Sequence, residues 1–133
     1  MRYMRYPLFA LIVLVALFGC ASGEGVNNLA ELQTYEGLSA ALDKGRDIAL
    51  YDVRTTEEYT SGHIPKAVHI PYDMIGELIP VEDKSAVIVV YCQSGSRAGQ
   101  AKETLEGLGY KNVVNFGGIG KWEGKLITGS SPE

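Results

Sequence analysis

The chain has 133 residues, 46% of them hydrophobic, with 12 basic against 16 acidic side chains and a formal net charge of −4. That length suits one domain around one apolar core, and the acidic balance argues against nucleic acid or an anionic surface as a partner. Two cysteines and two separated histidines make no recognisable metal set, and no cofactor is implied.

At the N-terminus, Arg2 and Arg5 precede an apolar stretch over residues 8–18, well short of the roughly 20 residues that a membrane-spanning helix needs. Residues 1–19 therefore read as a signal peptide. The stretch ends in Leu17-Phe18-Gly19-Cys20, which resembles the processing box of bacterial lipoproteins. The resemblance implies a lipid on Cys20 and an exported chain held to a bacterial membrane by that anchor, on the periplasmic face in a Gram-negative cell. Ordinary cleavage near Ala21 or Ser22, or an uncleaved anchor, are the alternatives. Removal of residues 1–19 takes Arg2 and Arg5 with it and leaves 10 basic residues against 16 acidic. With Cys20 lipidated, a single free thiol remains and no internal disulfide can form. Residues 20–33 would be the lipidated N-terminus and tether, residues 34–127 the folded domain, and residues 128–133 a frayed tail.

Within the domain, Thr34 is placed to cap a helix that carries Leu38, Ala41 and Leu42 on one face and stops at Gly45. Residues 48–53 read as a strand. Thr55-x-x-Glu58 has the form of a capping box for a short helix reaching Ser61, followed by a turn at Gly62 and a strand over residues 67–70. Residues 72–78 suggest another short helix, ended by Pro80. The five-residue apolar run Val87-Ile88-Val89-Val90-Tyr91 reads as a fully buried strand, and Ala98, Ala101, Leu105 and Leu108 recur at helical spacing after it. Gly109 ends that helix, and residues 113–116 give a last strand. Alternating strands and helices predict an α/β domain: a mostly parallel sheet with helices on both faces and ligands at the carboxyl ends of the strands.

Between the buried strand and its helix lies Cys92-Gln93-Ser94-Gly95-Ser96-Arg97. The first amides of a helix lack intrahelical partners, and together with the helix dipole they favour negative charge. Small residues at 94–96 let successive N–H groups curl around one point, a nest for an anion, with Arg97 adding a cation. Such surroundings favour the thiolate, the nucleophilic form of cysteine. A lone cysteine after a strand is ordinarily a small buried hydrophobe, but polar, small and cationic neighbours are poor company for one. Cys92 is the candidate nucleophile, and Gln93, Ser94, Gly95, Ser96 and Arg97 the candidate anion cradle.

This loop resembles the active-site loop of rhodanese-type sulfurtransferases. Asp52-Val53-Arg54, Glu58-Tyr59 and Gly62-His63-Ile64-Pro65 are similar to a second signature of that family. Gly109-Tyr110 with Gly117-Gly118-Ile119-Gly120-Lys121-Trp122 is similar to a third. The likeness runs over residues 34–122 and is nearest to the small, single-domain, exported members. It implies a rhodanese-like fold and transfer of a sulfane sulfur from thiosulfate or a similar small anion to a thiol or cyanide acceptor, through a Cys92 persulfide. A monomer is expected. Asp52 and Arg54 read as a loop-bracing ion pair, since charges at a buried strand end need partners. His63 reads as a hydrogen-bonding loop residue rather than a general base, because no carboxylate partner is identifiable for it. Phe116 and Trp122 read as core or pocket wall, and Gly117-Gly118 as room for a loop to approach the cradle.

Two other readings stay open. Cysteine phosphatases and arsenate reductases also hold a thiolate in an anion nest, but they resemble Cys, five residues, then Arg, whereas Arg97 follows Cys92 after four. A non-catalytic tethered module that binds or senses a partner is the second, with the intact Cys92 against it.

Overall fold

The computed structural model describes residues 28–133. The signal peptide, Cys20 and the proposed lipid anchor lie outside the described residues.

Leu29–Gln33 forms a 3-10 turn. It is followed by α1 (Tyr35–Asp43), β1 (Ile48–Asp52), α2 (Thr56–Ser61), β2 (Val68–His69) and α3 (Ile75–Leu78). Then come β3 (Val87–Cys92), α4 (Ser96–Gly107), β4 (Asn112–Gly118) and a last 3-10 turn, Ile119–Lys121. The strands stand in the order β2-β1-β3-β4, and every pairing is parallel. The expected α/β architecture is what the structure has.

Strand side chains alternate between faces, and each face of the sheet carries its own core. On one side Val89, Tyr91, Leu50, Val114 and Phe116 pack against Leu32, Leu38, Ala41, Leu42 and Tyr59 from the N-terminal turn, α1 and α2. On the other, Ile88, Val90, Cys92, Tyr51 and Val113 pack against Ile75, Ala98, Ala101 and Leu105 from α3 and α4. Helices on both faces explain why β3 is apolar without interruption.

Local signals set the helix starts. Thr34 accepts from the Gly37 N–H at the head of α1. Thr55 and Glu58 complete the capping box of α2: the Thr55 side chain accepts from Glu58 N–H and the Glu58 side chain from Thr55 N–H. The short helix near residue 75 is shorter than residues 72–78 suggested: residues 72–74 form a turn, with the Met74 N–H bonded to the Pro71 carbonyl, and Ile75–Leu78 is helical.

Two boundary readings are corrected. The domain begins before residue 34: Leu32 is fully buried in the core, so residues 29–33 are packed structure rather than tether. The C-terminal end is docked rather than frayed. Gly129 N–H donates to the Thr60 carbonyl, Lys66 N–H donates to the Pro132 carbonyl, and Ile127 exchanges backbone bonds with His63.

Candidate active site

The strand order reverses between β1 and β3, so the carboxyl ends of those strands flank a crevice, the usual ligand position in an open parallel sheet. β1 delivers Asp52 and Arg54 to this place, and β3 delivers Cys92.

Cys92 has no exposed surface, while Gln93, Ser94 and Ser96 above it are exposed. Its Sγ accepts a hydrogen bond of 2.9 Å from the Gly95 N–H. Gly95 precedes the first residue of α4 and has φ +97, which only glycine adopts cheaply. This conformation folds the loop back so that its amide faces the sulfur. A Cβ there would also sit 3.3 Å from the Gly117 Cα. Ser96 opens α4, so the first-turn amides of Ser96, Arg97 and Ala98 have no intrahelical acceptor and add their share of the helix dipole.

The far wall is β4. Gly118 lies so close that a Cβ on it would stand 2.6 Å from the Gln93 carbonyl oxygen. A bulge in the β3–β4 ladder, where Val90 faces Asn115 but Tyr91 faces Gly117, sets this approach. Asn115 fastens it. Its Nδ2 donates to the Gly95 carbonyl at 3.1 Å and its Oδ1 accepts from the Gly117 N–H at 2.8 Å. Sequence reading passed over Asn115; the available signal was a polar residue at the centre of an apolar strand.

Arg97, read as part of the anion cradle, is engaged elsewhere. Its two terminal nitrogens donate to the two oxygens of Glu58, at 2.8 and 3.0 Å, a two-point fork between α4 and α2. The fork raises the Arg97 pKa, and it lowers the Glu58 carboxyl from its ordinary 4.5 to about 2. Glu58 was visible from sequence only as a capping residue.

Beneath the loop, Asp52 and Arg54 form a buried pair. Arg54 Nη2 donates to Asp52 Oδ2 at 2.7 Å and to the Gly62 carbonyl at 2.7 Å, and Nε reaches both carboxylate oxygens at 3.0 Å. Burial opposes the Arg54 cation, but the Asp52 bonds outweigh it, so its pKa is raised. Arg54 Nη1 also lies 3.5 Å from Gln93 Oε1, the nearest link between this brace and the cradle. His63 is fully buried and stacks on Tyr59, with ring centroids 3.7 Å apart. Its Nδ1 is 2.8 Å from the Tyr59 carbonyl and its Nε2 is 2.9 Å from the Ser131 carbonyl, so both nitrogens are occupied by backbone. Phe116 is fully buried, and Trp122 packs edge-on against Tyr35.

Among the described residues no three His, Cys, Asp or Glu side chains gather as metal ligands. A cavity of about 340 Å³ opens between α3 and α4, lined by Tyr72, Asp73, Gly76, Glu77, Gln100 and Thr104. None of residues 92–97 lines it.

Comparison with known proteins agrees with this architecture. The rhodanese-like domain family matches residues 34–125. The thiosulfate sulfurtransferase PspE of Escherichia coli K12 is 43% identical over 70 residues, covering 51% of this chain and 67% of that protein. A sulfurtransferase of Allochromatium vinosum is 39% identical over 88 residues, covering 65% of this chain and 82% of that one. Among solved structures, a rhodanese with anions from E. coli superposes with a TM-score of 0.59 at 37% identity, over 62% of this chain and 99% of its own. With a buried thiol at the head of a helix, at the crevice of a parallel sheet, in a domain matched over residues 34–125, this chain belongs to the rhodanese-like family, whose single-domain relatives here are sulfurtransferases.

Proposed function

We propose that the chain moves a sulfane sulfur from a small sulfur-containing anion, thiosulfate or a similar donor, to a thiol or cyanide acceptor by way of a persulfide on Cys92. The observation that carries this reading is the 2.9 Å bond from the Gly95 N–H to Cys92 Sγ at the start of α4. A main-chain donor aimed at sulfur supports negative charge there. In the first step the Cys92 thiolate attacks the outer sulfur of thiosulfate. The S–S bond of the donor breaks, sulfite leaves with the electron pair, and Cys92–S–S⁻ remains. In the second step an acceptor thiolate attacks the outer sulfur, the Cys92 S–S bond breaks, and the thiolate returns. Charge balances in both steps, and His63, with both nitrogens taken by backbone carbonyls, is not needed as a base. Two half-reactions sharing a covalent intermediate give ping-pong kinetics.

The spacing of Cys92 and Arg97 favours this reading over phosphate chemistry, and the pairing of Arg97 with Glu58 weakens the case for a tetrahedral oxyanion further. Mass spectrometry after exposure to thiosulfate tests the proposal. One added sulfur atom on Cys92, absent in Cys92→Ser, is the expected result; an unmodified wild-type thiol would end it. We also propose, from the apolar stretch over residues 8–18 and the likeness of Leu17-Phe18-Gly19-Cys20 to a lipoprotein processing box, that the mature protein is exported and lipid-anchored through Cys20, and, separately, that it works as a monomer. Metabolic labelling with a fatty acid, lost in Cys20→Ala, checks the anchor.

A further inference from the structure

Arg97 is the only lysine or arginine in residues 93–97, and it stands in the first turn of α4, which directly follows the Gly95 whose N–H donates to Cys92 Sγ. Yet both of its terminal nitrogens are held by one carboxylate, at 2.8 and 3.0 Å. That carboxylate is itself fixed, because Glu58 also closes the α2 capping box with Thr55. The loop is therefore a cradle built of main-chain N–H groups whose side-chain cation has been cancelled from the neighbouring helix. The two side chains are 28% and 30% exposed, so an anion arriving from solvent can compete with Glu58 for Arg97.

Resting on the persulfide reading above, we infer that Glu58 is a specificity-determining residue that acts through Arg97. By neutralising the cation next to the cradle it weakens the site for the dianion thiosulfate and favours donors that bring sulfane sulfur at lower charge, namely organic persulfides. With such a donor, the Cys92 thiolate attacks the terminal sulfur of R–S–SH, the donor S–S bond breaks, and R–S⁻ leaves while Cys92–S–SH forms. Atoms and charge balance without a further reagent. Backbone donors serve either kind of donor, and a free Arg97 would add most where the donor carries a second negative charge.

Charge-selective alkylation isolates the effect, because it requires no sulfur transfer. Iodoacetate and iodoacetamide differ in charge and little in size, so their rate ratio at Cys92 reports the potential at the sulfur. Glu58→Gln keeps an acceptor for the capping box and removes the charge. The expected result is a rise of about threefold to fivefold in the iodoacetate-to-iodoacetamide ratio, the size proper to a partly exposed ion pair. In an Arg97→Met background only the loss of Glu58's own field remains, so the same substitution should produce a clearly smaller rise. In turnover, Glu58→Gln should lower the KM for thiosulfate by a similar factor and leave the KM for cysteine persulfide within twofold. A ratio unchanged by Glu58→Gln, an equal rise without Arg97, or an active enzyme whose thiosulfate KM does not fall would each overturn the inference. Failure of wild-type Cys92 to take up sulfur would overturn the catalytic reading instead, with the alkylation ratio still deciding the role of Glu58.

Discussion

Asn115 and Gly95 meet across twenty positions of sequence: the Asn115 side-chain amide donates to the Gly95 carbonyl at 3.1 Å, and the N–H of that same glycine donates to Cys92 Sγ at 2.9 Å. One side chain on β4 thus holds the residue whose N–H serves the sulfur, through the peptide on its other side. Asn115→Ala leaves the Gly95 carbonyl and the Gly117 N–H without this partner, at a cost of about 1 kcal/mol for each lost bond. Denaturant unfolding should show that loss, and iodoacetamide should alkylate Cys92 more slowly than in wild type. A variant that loses stability but keeps the wild-type alkylation rate would show that Asn115 holds the strand and not the nucleophile.

Gly118 has an ordinary backbone conformation, φ −89, so its lack of a side chain is a matter of space. A methyl group there would press on the Gln93 carbonyl oxygen at 2.6 Å. Gly118→Ala should push the cradle off Cys92 and lower kcat/KM for sulfur transfer by about a hundredfold, the scale of a misplacement near 1 Å. Steady-state kinetics with thiosulfate and cyanide measure it.

Arg54 is 4% exposed and is the partner of an Asp52 with no exposed surface. Arg54→Met would leave a buried carboxylate without its cation, which costs about 3–5 kcal/mol, and would free the Gly62 carbonyl. Unfolding by urea should show a loss of this size. Replacing Asp52 and Arg54 together by apolar residues should cost less than either single change, because no buried charge is then orphaned.

The pH dependence of the Glu58–Arg97 pair follows from the Arg97 fork, which holds the Glu58 carboxyl at about 2 instead of 4.5. A lowered folded-state value means stabilisation that is complete above pH 4.5 and is lost as pH falls through about 2. The stability difference between wild type and Glu58→Gln should be flat from pH 7 to pH 5, shrink between pH 4.5 and pH 2, and diminish with added salt, since both side chains are partly exposed. Denaturation curves across that range test the sign; a difference growing toward acid would contradict it.

Much of this protein was legible in its sequence because the signals were local. Thr34, the Thr55–Glu58 box and Gly109 mark helix ends through bonds and conformations within a few residues. The apolar run of β3 announces burial on both faces, and the placement of Cys92 before a helix needs only the order of strand, small residues and helix.

Long-range partnership was not legible in the same way. Sequence presented Arg97 as a cation for the cradle, and the fold gave it to Glu58, thirty-nine positions away. Residues 128–133, small and polar, read as frayed, yet their carbonyls receive the Lys66 N–H and meet the His63 ring. Asn115 passed unremarked within the strand over residues 113–116, and the β3–β4 bulge places it against the Gly95 carbonyl. The chain's sequence thus determined its α/β class, its helix caps and the position of the thiol, because each depends on neighbours joined by a few bonds. Which cation is free, which carbonyl is held and how closely β4 approaches Cys92 were decided only by the tertiary structure, because hydrogen-bond partners are chosen by distance in space and the register of four strands brings distant residues within 3 Å.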